Sequence, residues 1–254
     1  GLKVMQSGAV AIVLGEEDDG ECHRRIQWSW GVMDPEARSR AAARTLVLPL
    51  AGTGNNRLVD ELPGGPVKSS RAEELVAYLQ QKGAELGGWS LVVIDPFARF
   101  AGMDAEKDNA SATSTITVLE GLLKLPGFPT VLFSHHCRKG KKDEEGTDPV
   151  EMIRGSSAIK DGARWVAMLE RQVTDPVGKA LLRVVKTNRT SWDYALELKT
   201  MKGVVTGGEP KLVADIRAER AAGNGNDDRP GKKKGNGNAA AGAKKNDRRN
   251  VEGT

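Results

Sequence analysis

Ala9-Val10-Ala11-Ile12-Val13-Leu14 is an uninterrupted apolar run of strand length. A strand that is apolar at successive positions has no face to offer water. It therefore belongs inside a parallel sheet that is covered on both sides. The pattern recurs at Thr45 to Leu50, Leu91 to Ile94, Thr130 to Phe133, Ala163 to Leu169 and Ala180 to Val185. Helical patterns lie between these runs. Ser70 to Leu86 carries Leu75, Leu79 and Leu86 at helical spacing, with Ser70 as N-cap and Glu73 three residues on. Ser111 to Leu125 sets Ile116, Leu119, Leu122 and Leu123 on one face. Strand, helix, strand at this spacing predicts right-handed βαβ units on a mostly parallel sheet flanked by helices, a three-layer α/β domain.

Charge divides the chain unevenly. Of 38 Lys or Arg and 34 Asp or Glu, the stretch from Arg217 to Thr254 holds ten and five, which leaves 28 against 29 in the rest. The basic balance is thus a property of the tail, and charge alone does not assign the globular part to nucleic acid. Residues 217–254 have almost no apolar side chains and are expected to be disordered, leaving 1–216 as the domain. The two cysteines, Cys22 and Cys137, are too few for a disulfide framework, and no CxxC is present for a zinc knuckle. No apolar run reaches membrane-spanning length and no signal-peptide pattern opens the chain, so a cytoplasmic protein with no membrane partner is expected. Trp28, Trp30, Trp89, Trp165 and Trp192 read as packing residues.

Several strand ends carry polar groups. Ligands of doubly wound sheets sit at the C-terminal edge of the strands. Asp95, which closes Leu91-Val92-Val93-Ile94, could hold Mg²⁺ through water beside nucleotide phosphates, or could simply cap a turn. Glu16, in Leu14-Gly15-Glu16-Glu17-Asp18, could polarise an attacking water, or belong to an ordinary solvated loop. In Phe133-Ser134-His135-His136-Cys137-Arg138-Lys139-Gly140 a polar residue could bond a phosphate. A metal site on His135, His136 and Cys137 is the alternative, against which successive strand residues point to opposite faces. Arg154-Gly155-Ser156-Ser157 and Arg183-Val184-Val185-Lys186-Thr187-Asn188-Arg189 are basic turns that could reach phosphates.

These features occur in one order, and VVIDPFARF, FSHHCRKG and RGSSAIKDGARW are the most telling stretches. In that order the chain resembles, from about Ala9 to Tyr194, the AAA_25 group of RecA-like ATPases, the family of RepA-like hexameric replicative helicases. More distantly it resembles the DnaB-type helicases. The resemblance implies a RecA-like fold, ATP and Mg²⁺ as cofactors, a homohexameric ring and single-stranded DNA as partner in plasmid or phage replication. It implies Glu16 as the water-activating residue, Asp95 as the Mg²⁺ residue, and His136, with His135 less firmly, as the phosphate sensor. Arg183 resembles the finger that reaches a neighbour's nucleotide. Lys186 and Arg189 lie near a Lys-x-Arg pair of the DnaB-type proteins, so any of the three could be the finger. Arg138, Lys139, Lys141, Lys142 and Arg154 fall on the segment that resembles the channel-facing DNA loop.

One part of this chemistry has no residues in the sequence. No G-x-x-x-x-G-K-[ST] occurs; Gly-Lys pairs at Gly140, Gly178 and Gly231 lack the upstream glycine and the following Ser or Thr. That loop supplies the backbone cradle and the lysine for the β- and γ-phosphates. In the resembled family it precedes the strand that matches Ala9 to Leu14. Together with a first residue that is Gly rather than Met, this gives the expectation of a truncated ATPase whose full-length form is the DNA helicase. A non-helicase regulatory ATPase and an inactive DNA-binding scaffold are the alternatives.

Overall fold

The computed structural model describes residues 6–137, 153, 155–171, 178–188, 194–201, 204–216 and 218. The chain divides into two units, Gly1–Asp215 and Ile216–Thr254, and every element below belongs to the first. Of the tail expected to be disordered, residue 217 and residues 219–254 lie outside the described residues.

The first apolar run forms β1 (Ala9–Leu14), which pairs in parallel on both sides, with β2 (Thr45–Pro49) and β5 (Trp89–Asp95). β6 (Thr130–Phe133) adds in parallel to β5, giving the order β2-β1-β5-β6. One face of β1 is fully buried through Ala9, Ala11 and Val13, whereas Val10, Ile12 and Leu14 are half-buried. The core of that buried face collects Leu75 and Leu79 of α3 (Ser70–Glu85), Phe97 and Phe100 of α4 (Phe97–Phe100), Ile116 and Leu119 of α5 (Asn109–Gly121), and Ile159 of α6 (Ser157–Gly162). A short hairpin, β3 (Val59–Leu62) with β4 (Gly65–Lys68), lies between β2 and α3 in the chain. Among the described residues no helix is long and apolar enough to cross a membrane.

Three expectations need correction. The later strands do not extend the parallel sheet. β7 (Trp165–Arg171), β8 (Lys179–Thr187), β9 (Tyr194–Met201) and β10 (Val204–Leu212) form a separate antiparallel sheet in the order β10-β9-β8-β7. Only residues 172–178 separate β7 from β8, and only 202–203 separate β9 from β10. Such links are too short for the crossover that a parallel pair requires. The cap of α3 is Ser69 rather than Ser70; its Oγ accepts from the Ala72 amide at 3.1 Å, and its own hydroxyl donates to the Arg57 carbonyl. Of the described tryptophans only Trp89 is fully buried, while Trp28 and Trp165 are 49% and 42% exposed; Trp192 lies outside the described residues.

Besides the short α4 and α6, two longer helices have no counterpart in the sequence reading. α1 (Asp19–Gly31) buries only Cys22, and α2 (Pro35–Arg44) buries no residue, so neither has an apolar stripe to betray it. Their caps are what mark them. Asp18 and Asp34 accept from the amides of Glu21 and Ala37 at 2.8 and 2.7 Å.

The start of β5 is fixed by its tryptophan. Trp89 Nε1 donates to the Leu79 carbonyl at 2.8 Å, and the indole lies directly over Gly83 of α3. A Cβ at position 83 would stand 2.4 Å from Nε1 and 2.8 Å from Cδ1. Gly83→Ala is therefore expected to destabilise the protein by about 1–3 kcal/mol through overpacking. Helix propensity alone would favour the alanine by about 1 kcal/mol. Urea denaturation of the two proteins decides between these signs.

Candidate active site

The parallel sheet brings three of the chemistry-bearing strand ends to one edge. Leu14 is in register with Asp95, and Ile94 with Phe133. Backbone bonds continue the register past the strand ends. Gly15 N–H donates to the Asp95 carbonyl at 2.8 Å, Ser134 N–H to the Ile94 carbonyl at 3.1 Å, and Leu50 N–H to the Leu14 carbonyl at 2.8 Å. Glu16, Asp95 and Ser134 consequently follow one another along the carboxyl edge of β1, β5 and β6.

The turn after Asp95 is held from below. Phe97 is fully buried, its N–H donates to the Ser134 carbonyl at 2.8 Å, and its ring contacts those of Phe133 and His135 at centroid distances of 5.2 and 5.4 Å. The hydroxyl of Ser134 donates to Oδ1 of Asp95. This serine was not singled out in the sequence; the signal for it was its place as the first residue after β6, where a short side chain reaches the neighbouring strand end. His135 is half-buried against Phe97, and His136 is exposed two residues beyond Ser134. Among the described residues no group of three or more His, Cys, Asp or Glu could hold a metal ion.

The two adjacent glutamates diverge. Glu17 turns toward α1, where Arg25 Nη1 donates to its Oε1 at 2.9 Å. Glu16 turns toward the Asp95 side, and Arg99 Nε of α4 donates to its Oε1 at 2.8 Å. Position 16, not 17, therefore faces the strand edge. Arg99 is the second site residue that the sequence reading missed.

The basic candidates are placed less uniformly. Arg183 on β8 donates through Nη2 to Glu170 of β7 at 2.9 Å and is only 18% exposed. Acting on a neighbouring subunit would require it to leave that partner. Lys186 Nζ donates to the carbonyls of Lys160 and Asp161, closing the end of α6. Arg189, Arg138, Lys139, Lys141, Lys142 and Arg154 lie outside the described residues. Cys137 and Ile153, which flank residues 138–152 in the sequence, form an antiparallel bridge. Gly155, at φ 100°, and Ser156, whose Oγ accepts from the Ala158 amide, then start α6.

A cleft of about 570 Å³ opens beside this edge. Thr130, Val131, Leu132 and Phe133 of β6 line one side, Trp165 to Met168 of β7 the other, and Ile116 and Leu119 of α5 contribute to its lining. β6 ends one sheet and β7 ends the other. The cleft thus lies between two strands that each lack a neighbour on one side among the described residues. Leu132 is 44% exposed there.

Both thiols are held as thiols. Burial pushes Cys22 up, with Glu17 adding to it; burial likewise pushes Cys137 up, with Glu170 adding. Alkylation by iodoacetamide at pH 7 is expected to be slow and to accelerate roughly tenfold per pH unit up to the thiol pKa. Rapid labelling at pH 7 would contradict this placement of the two cysteines.

A family model described as an AAA domain, AAA_25, matches residues 1–142, which contain β1, β5, β6 and the acids at their ends. Among solved structures, the KaiC-like protein PH0186 of the hyperthermophilic archaeon Pyrococcus horikoshii OT3 is similar over 80% of this chain and 77% of that chain, at 17% identity and a TM-score of 0.46.

Proposed function

Since the chain belongs to the AAA_25 family of AAA domains, we propose that it is the hydrolytic core of a RecA-type, ATP-dependent motor acting on single-stranded DNA. The observation that carries this reading is the alignment of Glu16, Asp95 and Ser134 along one edge of a parallel sheet.

The residues present fit half of an Mg²⁺–ATP site. Asp95, fixed by the Ser134 hydroxyl, would hold the ion through water. The bound ion would neutralise charge developing on the β- and γ-phosphates. Glu16 orients a water for in-line attack on the γ-phosphorus and accepts its proton. His136, exposed just past Ser134, is the proposed phosphate contact.

The phosphate cradle is the half that the sequence does not contain. The cleft between β6 and β7 offers the place for it. A strand entering there would pair with the open edge of β6 and bring the loop that follows it to the same carboxyl edge as Asp95. In the proposed ring, one of Arg183, Lys186 and Arg189 reaches the neighbour's phosphates. Arg183 and Lys186 would first have to exchange Glu170 and the end of α6 for that partner. The charged loop closed by the Cys137–Ile153 bridge is the proposed DNA contact.

The test is DNA-stimulated ATP hydrolysis by the full-length protein. Glu16→Gln is expected to lower kcat by about 10²- to 10⁴-fold while nucleotide still binds. Asp95→Asn is expected to lower it while raising the Mg²⁺ concentration needed. Wild-type rates in Glu16→Gln would remove Glu16 from the mechanism. Hydrolysis without strand separation on forked DNA would make the protein a regulatory ATPase instead of a helicase.

A further inference from the structure

Arg99 is joined to Glu16 across 83 residues of sequence. Several ion pairs among the described residues are local helix pairs, such as Arg24–Glu21, Arg40–Glu36 and Lys82–Glu85. The Arg99 and Glu16 side chains are 59% and 42% exposed, and pairs so open to solvent add little to stability. Yet the local architecture is built around this one. Arg99 stands on α4, whose first residue, Phe97, is fully buried and bonded to Ser134, and its own N–H donates to the Pro96 carbonyl at 3.1 Å. Its aliphatic stem lies against the backbone of Gly15. A Cβ at position 15 would stand 2.6 Å from Arg99 Cβ, 3.1 Å from Cγ and 3.0 Å from Phe100 Cε2. Glycine at position 15 is what allows the arginine to lie there.

We infer that Arg99 is a positioning residue for Glu16, holding one carboxylate oxygen so that the other is presented to the attacking water. The inference rests on the hydrolytic role proposed for Glu16. The Nε–H of Arg99 engages Oε1 and leaves Oε2 to accept from water. Arg99 grows from the same rigid turn that begins at Asp95, so it ties the base on β1 to the Mg²⁺ residue on β5. Without it Glu16 is a solvent-exposed side chain on a loop, free to rotate, and a misplacement of about 1 Å can cost on the order of 100-fold in rate.

Two measurements on wild type, Arg99→Ala, Arg99→Lys and Gly15→Ala test this. The first is the three-bond Hα–Hβ couplings of Glu16 by NMR, which need no activity. One fixed rotamer is expected in wild type and Arg99→Lys, and averaged values in Arg99→Ala. Gly15→Ala displaces the arginine without altering any charge and is expected to average them too; Arg99→Ala decides if that variant does not fold. The second is steady-state hydrolysis by the full-length protein. Arg99→Ala is expected to lower kcat by about 10- to 100-fold with KM within about threefold, and Arg99→Lys to recover most of the loss. Averaged couplings in wild type, unchanged couplings in Arg99→Ala, or an unchanged or raised kcat in Arg99→Ala each overturn the inference. If wild type itself does not hydrolyse ATP, the reading of Glu16 as a base fails, and the couplings alone decide whether Arg99 fixes it.

Discussion

The site depends on three backbone hydrogen bonds that carry the sheet register past its strands: Gly15 to Asp95, Ser134 to Ile94, and Phe97 to Ser134. Strand ends usually fray into loops with independent geometry. Here the first residue after each of β1 and β6 is still tied to β5, so side chains from distant parts of the sequence keep fixed relative positions. A buried phenylalanine at position 97, packed on Phe133 and His135, makes the turn after Asp95 part of the core.

This division between a dry support and a wet edge also explains which residues have which neighbours. Ala9, Ala11, Val13, Val92 and Ile94 hold the strands from the fully buried face. Glu16, Ser134 and His136 are exposed. The polar groups that must meet solvent and substrate therefore carry little of the folding energy, and they can be substituted without emptying the core. Positions such as Gly83 and Gly15 are different. Each lies where a neighbouring side chain rests directly on the backbone, and the cost of a methyl there is steric.

The parallel sheet was legible in the sequence because continuous apolar runs have one physical explanation. β1, β2, β5 and β6 lie within a residue or two of where those runs fall. The acids at two of the strand ends were legible for the same reason, since the end of a buried strand is where a polar group must surface. The antiparallel sheet was legible only in part. β7 and β8 fall on two of the apolar runs but read as members of the parallel sheet, and the alternation Leu196-Glu197-Leu198-Lys199 in β9, a period of two, was passed over. β10 contains two glycines, a proline and a register shift, which leaves it no clean period. α1 and α2 escaped because they bury almost nothing. Ser134 and Arg99 escaped because their roles come from contacts across 39 and 83 residues. The lone arginine in VVIDPFARF looks like a solvated residue until the fold brings it over Gly15.

Metal and nucleotide are proposed to meet at the edge formed by Glu16, Asp95 and Ser134. Paramagnetic broadening of backbone amide signals by Mn²⁺ with ATP tests it most directly. Gly15, Glu16, Asp95 and Ser134 are expected to broaden first as Mn²⁺–ATP is added to the full-length protein. Broadening that leaves these four untouched and falls instead on the acidic turn around Asp104, Glu106 and Asp108 would contradict it.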